Sequence, residues 1–364
     1  MKKIKVGSDF SGVGAFDQAL KRLGVNYETV FACDMDKFAR DTFIHNYGEP
    51  KYYPTNVYDR EIPSESLDIY MTSPPCQAFS LAGKRLGKED KRGVLFFNSH
   101  EFIQVNKPRF FIFENVKGLL SDDGGRTFQE WVNMLGGKSV NGVPVLFPYD
   151  DSVPYHLYWK VLNAKHHGVP QNRERVFLIG IRDDAENRFQ FPREEHLTKR
   201  LKDVLEDAVD DKYFLSESAI NSILLNEDNI QKSKINADVA NALQTPGHSC
   251  GTYKGMNAVS VRSATSKGYE EANEGDSINL KNINSETRRE RVGKGVAQTI
   301  ESNNMSQFTL NKGSIRRLTP RECFRLMDFP DTFTWKVSDS QAYKQAGNSI
   351  VVNVLYKILN QLPL

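Results

Sequence analysis

Short apolar runs alternate with segments of helical periodicity across residues 4–180, and this alternation restricts the fold more than any other feature of the chain. Between the first two runs, Ala15–Leu23 has the spacing of an amphipathic helix, and Gly24 is a natural stop after it. Strands separated by helices predict an α/β fold, in which a mostly parallel sheet carries helices on both faces. The predicted strands are Ile4–Asp9, Thr29–Cys33, Leu67–Thr72, Arg109–Glu114 and Val176–Ile181.

The same periodicity divides the chain into parts. It weakens between residues 186 and 315, where Asn, Ser, Lys and Gly become frequent, and helical apolar spacing returns near the end. We therefore expect a catalytic and cofactor-binding domain at 1–185, a small loop-rich domain at 186–315, and a return to the first domain at 316–364. Residues 136–154, rich in Gly, Pro, Asp and Ser, predict a surface excursion. Hydrophobic content of 39% and charged content of 26% exclude a disordered chain.

Apolar runs, cysteine content and charge restrict the cellular location of the protein and the kinds of site that it can contain. The amino terminus has no apolar signal core, and no run approaches the roughly 18 apolar residues of a membrane span, so a cytoplasmic protein is expected. Four cysteines without short paired spacing predict neither a disulfide framework nor a metal site. The net charge is only +2, but residues 281–325 hold ten Lys or Arg against four Glu. That segment is either a solvated face or a nucleic-acid contact.

A glycine-containing turn follows the first predicted strand. Gly12 and Gly14 lie where the chain must turn sharply into a helix and where a ligand can approach the backbone. Asp34 follows the second strand about twenty residues beyond Gly14, where nucleotide-binding sheets carry a carboxylate for ribose hydroxyls. Asp17 occupies the place of the third glycine in a dinucleotide motif, so that motif is incomplete. The alternatives are a plain tight turn and an Asp34 that caps the helix starting near Met35.

A cysteine stands in a proline-restricted loop after the third predicted strand. The motif Ser73–Gln77 places Cys76 at the carboxyl end of the sheet, where α/β proteins bind ligands and where a thiol can act as a nucleophile. A buried structural cysteine is the alternative. Methyltransferases that modify exocyclic amines carry an aromatic residue after a similar Ser-Pro-Pro, so the cysteine here favours chemistry at a ring carbon.

Two further motifs carry charge at strand ends. Glu114 closes an apolar strand, and burial there is costly unless the carboxyl is paired or protonated, which suits a hydrogen-bond donor to a base. Its alternative role is to cap the following turn. Arg173 and Arg175 open another apolar strand, so at least one guanidinium is expected at the same edge of the sheet. Either arginine could instead pair with Glu174 at the surface.

Together these elements resemble the DNA cytosine-5 methyltransferase family of the bacterial or phage restriction-modification type. The resemblance covers nearly the whole chain apart from residues 186–290 and rests on six motifs in the family's order. These are Phe10–Gly14, Pro74–Gln77, Phe113–Val116, Gln171–Arg175, Arg321–Cys323 and Gly347–Ser349. It implies a Rossmann-like, S-adenosylmethionine-dependent methyltransferase fold with a target-recognition domain at 186–315.

The resemblance also implies a mechanism. Cys76 would add to C6 of a flipped cytosine, so that C5 becomes nucleophilic enough to take a methyl group. Glu114 would bind N3 and the exocyclic amine of the base. Arg175 would hold the O2 oxygen, and Arg173 would support the site.

S-adenosylmethionine is the implied methyl donor, with S-adenosylhomocysteine as product and no metal. The implied cofactor residues are Phe10, Ser11, Gly12, Gly14, Asp34, Met35, Asn56, Pro74, Asn348 and Ser349. Met35 stands where the family often has an aromatic against adenine. Asn56 stands where the family commonly has an acidic residue, and its side-chain oxygen could still accept a hydrogen bond from the adenine amine.

Duplex DNA is the implied partner of a monomeric enzyme, and the resemblance leaves open whether a cognate restriction endonuclease acts on the same site. Residues 81–96 are basic and glycine-rich and resemble the family's closing loop, although a solvated loop would have the same composition. Thr299-Ile300 resembles a Thr-aliphatic pair that the family sets near the flipped nucleotide. The predicted DNA contacts are Ser80, Lys84, Arg85, Arg92 and Thr299.

Two other functions compete with this hypothesis. An RNA cytosine-5 methyltransferase of the branch that modifies transfer RNA would carry Cys-Phe-Thr in its recognition region, whereas this chain reads Cys250-Gly251-Thr252 there. A non-catalytic regulator with the same fold would lack the nucleophile or the carboxylate. Because Cys76, Glu114 and Arg175 are all present, the sequence favours a DNA-modifying enzyme.

Overall fold

The computed structural model describes residues 3–75, 94–215, 258–281, 285, 287, 291–302, 307–311 and 314–364. The strands of the first half are β1 (Ile4–Asp9), β2 (Tyr27–Cys33), β3 (Ile69–Thr72), β4 (Phe110–Val116), β5 (Ser139–Val140), β6 (Val143–Pro144), β7 (Tyr155–Asn163), β8 (Gln171–Asn172) and β9 (Glu174–Arg182). The later strands are β10 (Ala258–Arg262), β11 (Tyr269–Asn273), β12 (Ser277–Asn279), β13 (Val292–Gly293), β14 (Ala297–Gln298), β15 (Gln307–Asn311) and β16 (Ser314–Arg317).

The helices lie mostly between the early strands and at the end of the chain. Within the described residues they are α1 (Ala15–Leu23), α2 (Lys37–Tyr47), α3 (Val94–Asn106), α4 (Arg126–Leu135), α5 (Pro320–Leu326), α6 (Asp339–Asn348) and α7 (Val352–Leu359). Short 3-10 segments occur at Lys117–Gly125, Ala164–His167, Leu201–Val204 and Asp211–Tyr213. The predicted helix Ala15–Leu23 is confirmed, and it ends as expected because Gly24 takes the left-handed conformation with φ 72°.

The main sheet has eight strands within the described residues, in the order β2-β1-β3-β4-β9-β7-β5-β6. Strands β2, β1, β3 and β4 are parallel neighbours, whereas β9 is antiparallel to both β4 and β7. The predicted mostly parallel α/β sheet is thus confirmed. The reversal of β9 brings its first residues to the edge where the parallel strands end, and Arg175 pairs with Val116 at that edge.

Helices cover both faces of this sheet. Strand alternation sends Phe110 and Ile112 of β4 into one core, which includes α1 and the carboxyl-terminal helices, and Phe111 and Phe113 into the other, which includes α3 and α4. Helices α5, α6 and α7 all contribute buried residues to the first core, and α7 contacts α1 directly. The boundary at residue 316 itself stays a prediction.

The region after residue 186 forms smaller sheets. Strands β13, β12, β15 and β16 make one sheet, and β10 and β11 make another. They share a small core that includes Val261, Ile278 and Leu310. Residues 136–154 contain the short antiparallel pair β5–β6 and an exposed stretch, in which the side chain of Phe147 is 90% exposed. Among the described residues, no helix is long and apolar enough to cross a membrane.

Candidate active site at the carboxyl edge of the sheet

The glycine turn after β1 has backbone conformations that favour glycine. Gly12 and Gly14 have φ of 53° and 84°, and Phe10 also has a positive φ. A side chain at Gly14 would place Cβ 2.4 Å from the ring of Tyr47, so only glycine fits there. At Gly12, by contrast, a Cβ would meet nothing within 4 Å among the described atoms, which leaves open space above the turn.

Asp34 fastens this turn to the end of β2. Its Oδ2 accepts from the Gly12 amide at 2.8 Å, and its Oδ1 accepts from the Asp36 amide at 2.8 Å. Desolvation raises the pKa of Asp34, against the lowering effect of these two hydrogen bonds. Asp36, and not Asp34, caps α2, because its side chain accepts from the amides of Phe38 and Ala39. Each carboxylate oxygen of Asp34 keeps a lone pair for a further donor.

Two other predicted cofactor residues flank the turn. The side chain of Met35 is 86% exposed, so its apolar surface is available to a ligand. Asn56 is engaged locally, since its Oδ1 accepts from the Tyr58 amide at 3.0 Å and its Nδ2 donates to Asp59 Oδ2 at 2.8 Å. The expected acceptor at position 56 is therefore partly occupied, and the carboxylate of Asp59 lies beside it. The hydroxyl of Ser11 lies 3.1 Å from Tyr53 Oη.

The end of α6 contacts the start of α2, close to the predicted cofactor residues Asp34 and Met35. Lys344 Nζ pairs with Asp36 Oδ2 at 2.7 Å, and Gln345 Nε2 donates to the Phe38 carbonyl at 2.9 Å. Asn348 is exposed and lies one helical turn beyond these residues, which places it at the same end of α6. Ser349 is buried, and its hydroxyl donates to the Ile350 carbonyl at 3.3 Å. Because its hydroxyl is bonded in this way, Ser349 offers a ligand its backbone and not a free hydroxyl.

The proline loop after β3 is tied to the strand that carries Glu114. Asn115 Nδ2 donates to the Pro74 carbonyl at 3.1 Å, and Asn115 Oδ1 accepts from the Val116 amide at 2.8 Å. Pro74 is buried and Pro75 is exposed. Asn115 thereby holds the backbone at Pro74, two residues before Cys76. Asn115 is not among the predicted site residues, although it belongs to the motif Phe113–Val116.

Glu114 is buried because strand alternation places it in the same row as Phe110 and Ile112. It lies opposite Phe177 on β9, so Arg175 is its diagonal neighbour on the same face. Arg175 Nε lies 3.2 Å from Glu114 Oε1. Of the two arginines, Arg175 is therefore the one that lies beside this carboxyl.

Burial sets the proton affinity of Glu114. Desolvation raises its pKa above the ordinary value, and the charges of Arg175 and Arg173 oppose that rise. The carboxyl therefore holds a proton more readily than an exposed glutamate. A protonated Glu114 can donate one hydrogen bond and accept others, as a base with adjacent acceptor and donor groups requires.

Arg173 contacts the backbone and not the pocket. Its Nη1 donates to the Ile300 carbonyl at 2.8 Å, and its Nη2 donates to the carbonyls of Gly347 and Ser349 at 3.0 and 2.8 Å. Its side chain is buried, and desolvation lowers the pKa of Arg173 to about 9, so the guanidinium is still charged at neutral pH. These are the contacts of a positioning residue.

A polar cleft of about 320 Å³ opens where β8, β9 and β14 meet. Arg175 and Thr299 both line it, and Thr299 Oγ1 donates to the Asn172 carbonyl at 2.8 Å. The surface pairing that was the alternative for the arginines is made by Lys117, which bonds both carboxylate oxygens of Glu174. The structure thus brings Thr299 to the arginine that holds Glu114.

Several predicted site residues lie outside the described residues. They are the nucleophile Cys76 and the DNA contacts Ser80, Lys84, Arg85 and Arg92. Of the other cysteines, Cys33 is buried at the end of β2, where desolvation raises the pKa of its thiol to about 12, and Cys323 is buried in α5. In the part of the chain that the structure describes, no cluster of three His, Cys, Asp or Glu residues could hold a metal ion.

An open, mostly parallel sheet with a glycine turn after β1 and a charged cluster at its carboxyl edge defines a class. This is the architecture of the S-adenosylmethionine-dependent methyltransferases. Residues 4–363 match the model of the C-5 cytosine-specific DNA methylase family, and the chain belongs to this family.

Sequence relatives share most of its length. The orphan methyltransferase M.SPRI of Bacillus phage SPR is 33% identical, with all of this chain and 98% of the phage protein aligned. The type II methyltransferase M.HhaI of Haemophilus parahaemolyticus is 31% identical, with 96% of this chain and 91% of that protein covered. A crystal structure of a Spodoptera frugiperda DNMT2 variant covers 98% of each chain with a TM-score of 0.61 at 19% identity, which bears on the fold alone.

Proposed function

We propose that the chain transfers a methyl group from S-adenosylmethionine to C5 of a cytosine flipped out of a specific double-stranded DNA sequence, through a covalent adduct with Cys76. One observation carries the proposal. The hydrogen bond from Asn115 to the Pro74 carbonyl ties the backbone before Cys76 to β4, the strand that carries Glu114. Membership of the C-5 cytosine-specific DNA methylase family supports cytosine in DNA as the substrate.

Cys76 acts as the nucleophile. Its thiolate adds to C6 of the ring, and electron density is thereby pushed to C5, which attacks the methyl group. S-adenosylmethionine, when bound, supplies that methyl group on an electrophilic sulfonium and is left as S-adenosylhomocysteine. A base then removes the C5 proton, and the two electrons of that C–H bond restore the double bond as the Cys76 thiolate leaves.

Glu114 and Arg175 hold the ring during these steps. A protonated Glu114 donates to N3 and accepts from the exocyclic amine, which stabilises the negative charge that builds up when the thiolate adds. Its raised pKa supports this role. Arg175 orients the carboxyl through Nε and holds the O2 oxygen of the base. Thr299, on the wall of the same cleft, contacts the flipped nucleotide.

The cofactor occupies the edge formed by β1, β2 and the end of α6. The open space at Gly12 and the exposed Met35 fit a nucleoside, with Asp34 accepting from the ribose hydroxyls. Asn348 completes the methionine end. The other residues assigned to this site are Phe10, Ser11, Gly14, Asn56, Pro74 and Ser349.

The rest of the assignment concerns DNA and the cell. Residues 186–315 form the target-recognition domain, and the basic segment 81–96 closes over phosphates. We place the enzyme in the cytoplasm as a monomer, acting with or without a cognate restriction endonuclease. No step in the proposed mechanism needs a metal.

Bisulfite sequencing of DNA from cells that express the protein tests the proposal. We expect protected cytosines at one short recognition sequence in cells with the wild-type chain, and none with Cys76→Ser. Purified Cys76→Ser should still bind duplex DNA. Cys250→Ser, at a cysteine to which no role is assigned, is the matched control and should methylate like the wild type.

Labelled methyl transfer separates the competing functions. The wild-type protein should label duplex DNA and leave transfer RNA unlabelled. Labelling of transfer RNA alone would transfer the assignment to the RNA-modifying branch. Binding of DNA without any methyl transfer by the wild type would favour a non-catalytic regulator, and full activity of Cys76→Ser would refute the covalent mechanism.

A further inference from the structure

Two backbone segments that are distant in the sequence meet at the guanidinium of Arg173. Its Nη1 bonds the Ile300 carbonyl, and its Nη2 bonds the carbonyls of Gly347 and Ser349, all within 3.0 Å. The residue is 4% exposed. A single buried side chain therefore holds the segment 297–302 of the recognition region to the end of α6.

Gly347, at the end of α6, allows this helix end to lie close to the segment 297–302. A side chain at this position would place Cβ 2.3 Å from the carbonyl carbon and oxygen of Glu301 and 2.4 Å from the Ser302 amide nitrogen. Backbone atoms cannot yield as a flexible side-chain end can, so the end of α6 packs on this segment only because residue 347 is glycine.

The segment 297–302 is also fixed on its opposite side. Strand β14 within it pairs in parallel with β8, and Thr299 Oγ1 donates to the Asn172 carbonyl. Gln171, which is fully buried, accepts from the Ile300 amide at 3.3 Å and donates to the Leu326 carbonyl at 2.7 Å. The segment is thus held between the strand leading to Arg175 and the helix end that carries Asn348.

We propose that Arg173 and Gly347 are positioning residues that form a joint, through which binding of S-adenosylmethionine at the end of α6 and binding of the nucleotide beside Thr299 favour one another. The inference rests on the proposed function, because it takes Asn348 as a cofactor residue and Thr299 as a nucleotide contact. Asn348 follows Gly347 directly, and Thr299 precedes Ile300 directly.

The physical basis of the coupling is the buried charge. A shift of either segment would remove a carbonyl from the guanidinium and leave part of its charge unpaired in the interior. Each ligand that fixes its own segment therefore lowers the cost of fixing the other. Such a coupling is reciprocal, so DNA should tighten cofactor binding by the same factor by which the cofactor tightens DNA binding.

Calorimetric titration of S-adenosylhomocysteine measures this factor. The full chain is titrated alone and with saturating duplex DNA that contains the sequence found by bisulfite sequencing. For the wild type we expect DNA to tighten binding about 5- to 150-fold, the usual range of coupling between sites. In Arg173→Lys an ammonium cannot span both segments, and in Gly347→Ala the segments are forced apart, so both factors should fall to about one.

The matched control is Arg182→Lys. Arg182 lies at the opposite end of β9 and donates to the Lys107 carbonyl, far from the joint in the strand register. This variant should keep the wild-type coupling factor even where its melting temperature falls. A factor that stays at the wild-type value in Arg173→Lys and Gly347→Ala, whatever their stability, would show a merely structural role and overturn the inference.

A measurement on the wild type covers the case in which the variants do not fold. Addition of S-adenosylhomocysteine without DNA should slow amide hydrogen exchange in residues 297–302, and unchanged exchange there would contradict the joint. Methyl transfer to DNA by the wild type is measured first. If the wild type transfers no methyl group to DNA, the proposed function is refuted. If it does so but the two ligands bind independently, only this inference is refuted.

Discussion

The molecule contains two kinds of buried carboxylate–arginine pair. Arg316 bonds both oxygens of Glu322 at 2.6 and 2.8 Å, and the Thr319 and Glu206 amides complete the coordination of that carboxylate. Glu114 instead receives one contact from Arg175, at 3.2 Å, among the described residues. Both carboxylates are buried.

The number of hydrogen bonds that the carboxylate receives distinguishes a structural pair from a functional one. A carboxylate whose hydrogen-bonding capacity is filled by its own fold can only stabilise that fold. Asp9 belongs to this kind, because Arg60 bonds both its oxygens and Tyr70 donates to one of them at 2.6 Å. Within the described residues Glu114 receives fewer contacts than these carboxylates and its pKa is raised, as we expect of the substrate-binding group proposed above.

Breaking the filled pair should have the largest effect on stability. Glu322→Gln leaves the guanidinium of Arg316 buried without its counter-charge, and we expect the free energy of unfolding to fall by about 3–5 kcal/mol. Urea denaturation followed by circular dichroism measures this loss. Glu186→Gln, at an exposed ion pair with Arg188, is the control and should cost less than about 1 kcal/mol. A similarly small cost for Glu322→Gln would remove the distinction between the two kinds of pair.

The opposite pattern is expected at the unfilled pair. Glu114→Gln replaces the acidic O–H that donates to N3 with an amide N–H, which cannot give up its proton as negative charge builds up on the ring, and kcat should fall by about 10²- to 10³-fold. The free energy of unfolding should stay equal or rise, because a desolvated carboxyl is replaced by a neutral amide. Single-turnover methyl transfer and urea denaturation of the same preparation give both values. A large loss of stability with unchanged kcat would place Glu114 with the structural pairs.

Asp17 is a third kind of buried carboxylate and sharpens the comparison through pH. Its Oδ1 accepts from Thr29 Oγ1 at 2.6 Å, and desolvation raises the pKa of Asp17 from 3.8 to about 6. The folded state therefore favours the protonated form. The stability contributed by this group is fully present below pH 4 and is lost as the pH rises through 6.

Asp17→Asn should remove that pH dependence. A rise of about two in the pKa of Asp17 corresponds to at most about 3 kcal/mol of free energy. The variant should therefore be more stable than the wild type at pH 8 by up to this amount. At pH 4 the two proteins should differ little. Melting temperatures across this range give the comparison, and a variant that is less stable at pH 8 than at pH 4, relative to wild type, would contradict the assigned direction.

The smallest effect is expected at the wall of the cleft. Thr299→Val removes the hydrogen bond to the Asn172 carbonyl, which is worth about 1 kcal/mol, and so the KM for DNA should rise about fivefold. Thr299→Ser keeps the hydroxyl and should behave like the wild type. Steady-state kinetics with duplex DNA distinguishes the two, and equal KM values would leave the hydroxyl without a role in binding.

Much of the fold could be read from local pattern. Apolar runs predicted five strands of the main sheet to within about two residues, as in β2, which begins at Tyr27 instead of Thr29, but β7 was not predicted. The cost of burying Glu114 at a strand end predicted its raised pKa. The contacts of Asn115 and Gly347 were missed, because each depends on a segment that lies tens of residues or more away in the sequence.

By itself the sequence determined the alternation of strands and helices, the glycine turn and the order of the charged motifs, since these follow from local propensity and side-chain period. Only the tertiary structure decided that β9 runs against its neighbours. That direction puts Arg175 beside Glu114 and turns Arg173 toward the backbone of Ile300 and Gly347. Strand direction and long-range partners depend on how the whole sheet packs, and a local pattern does not contain that information.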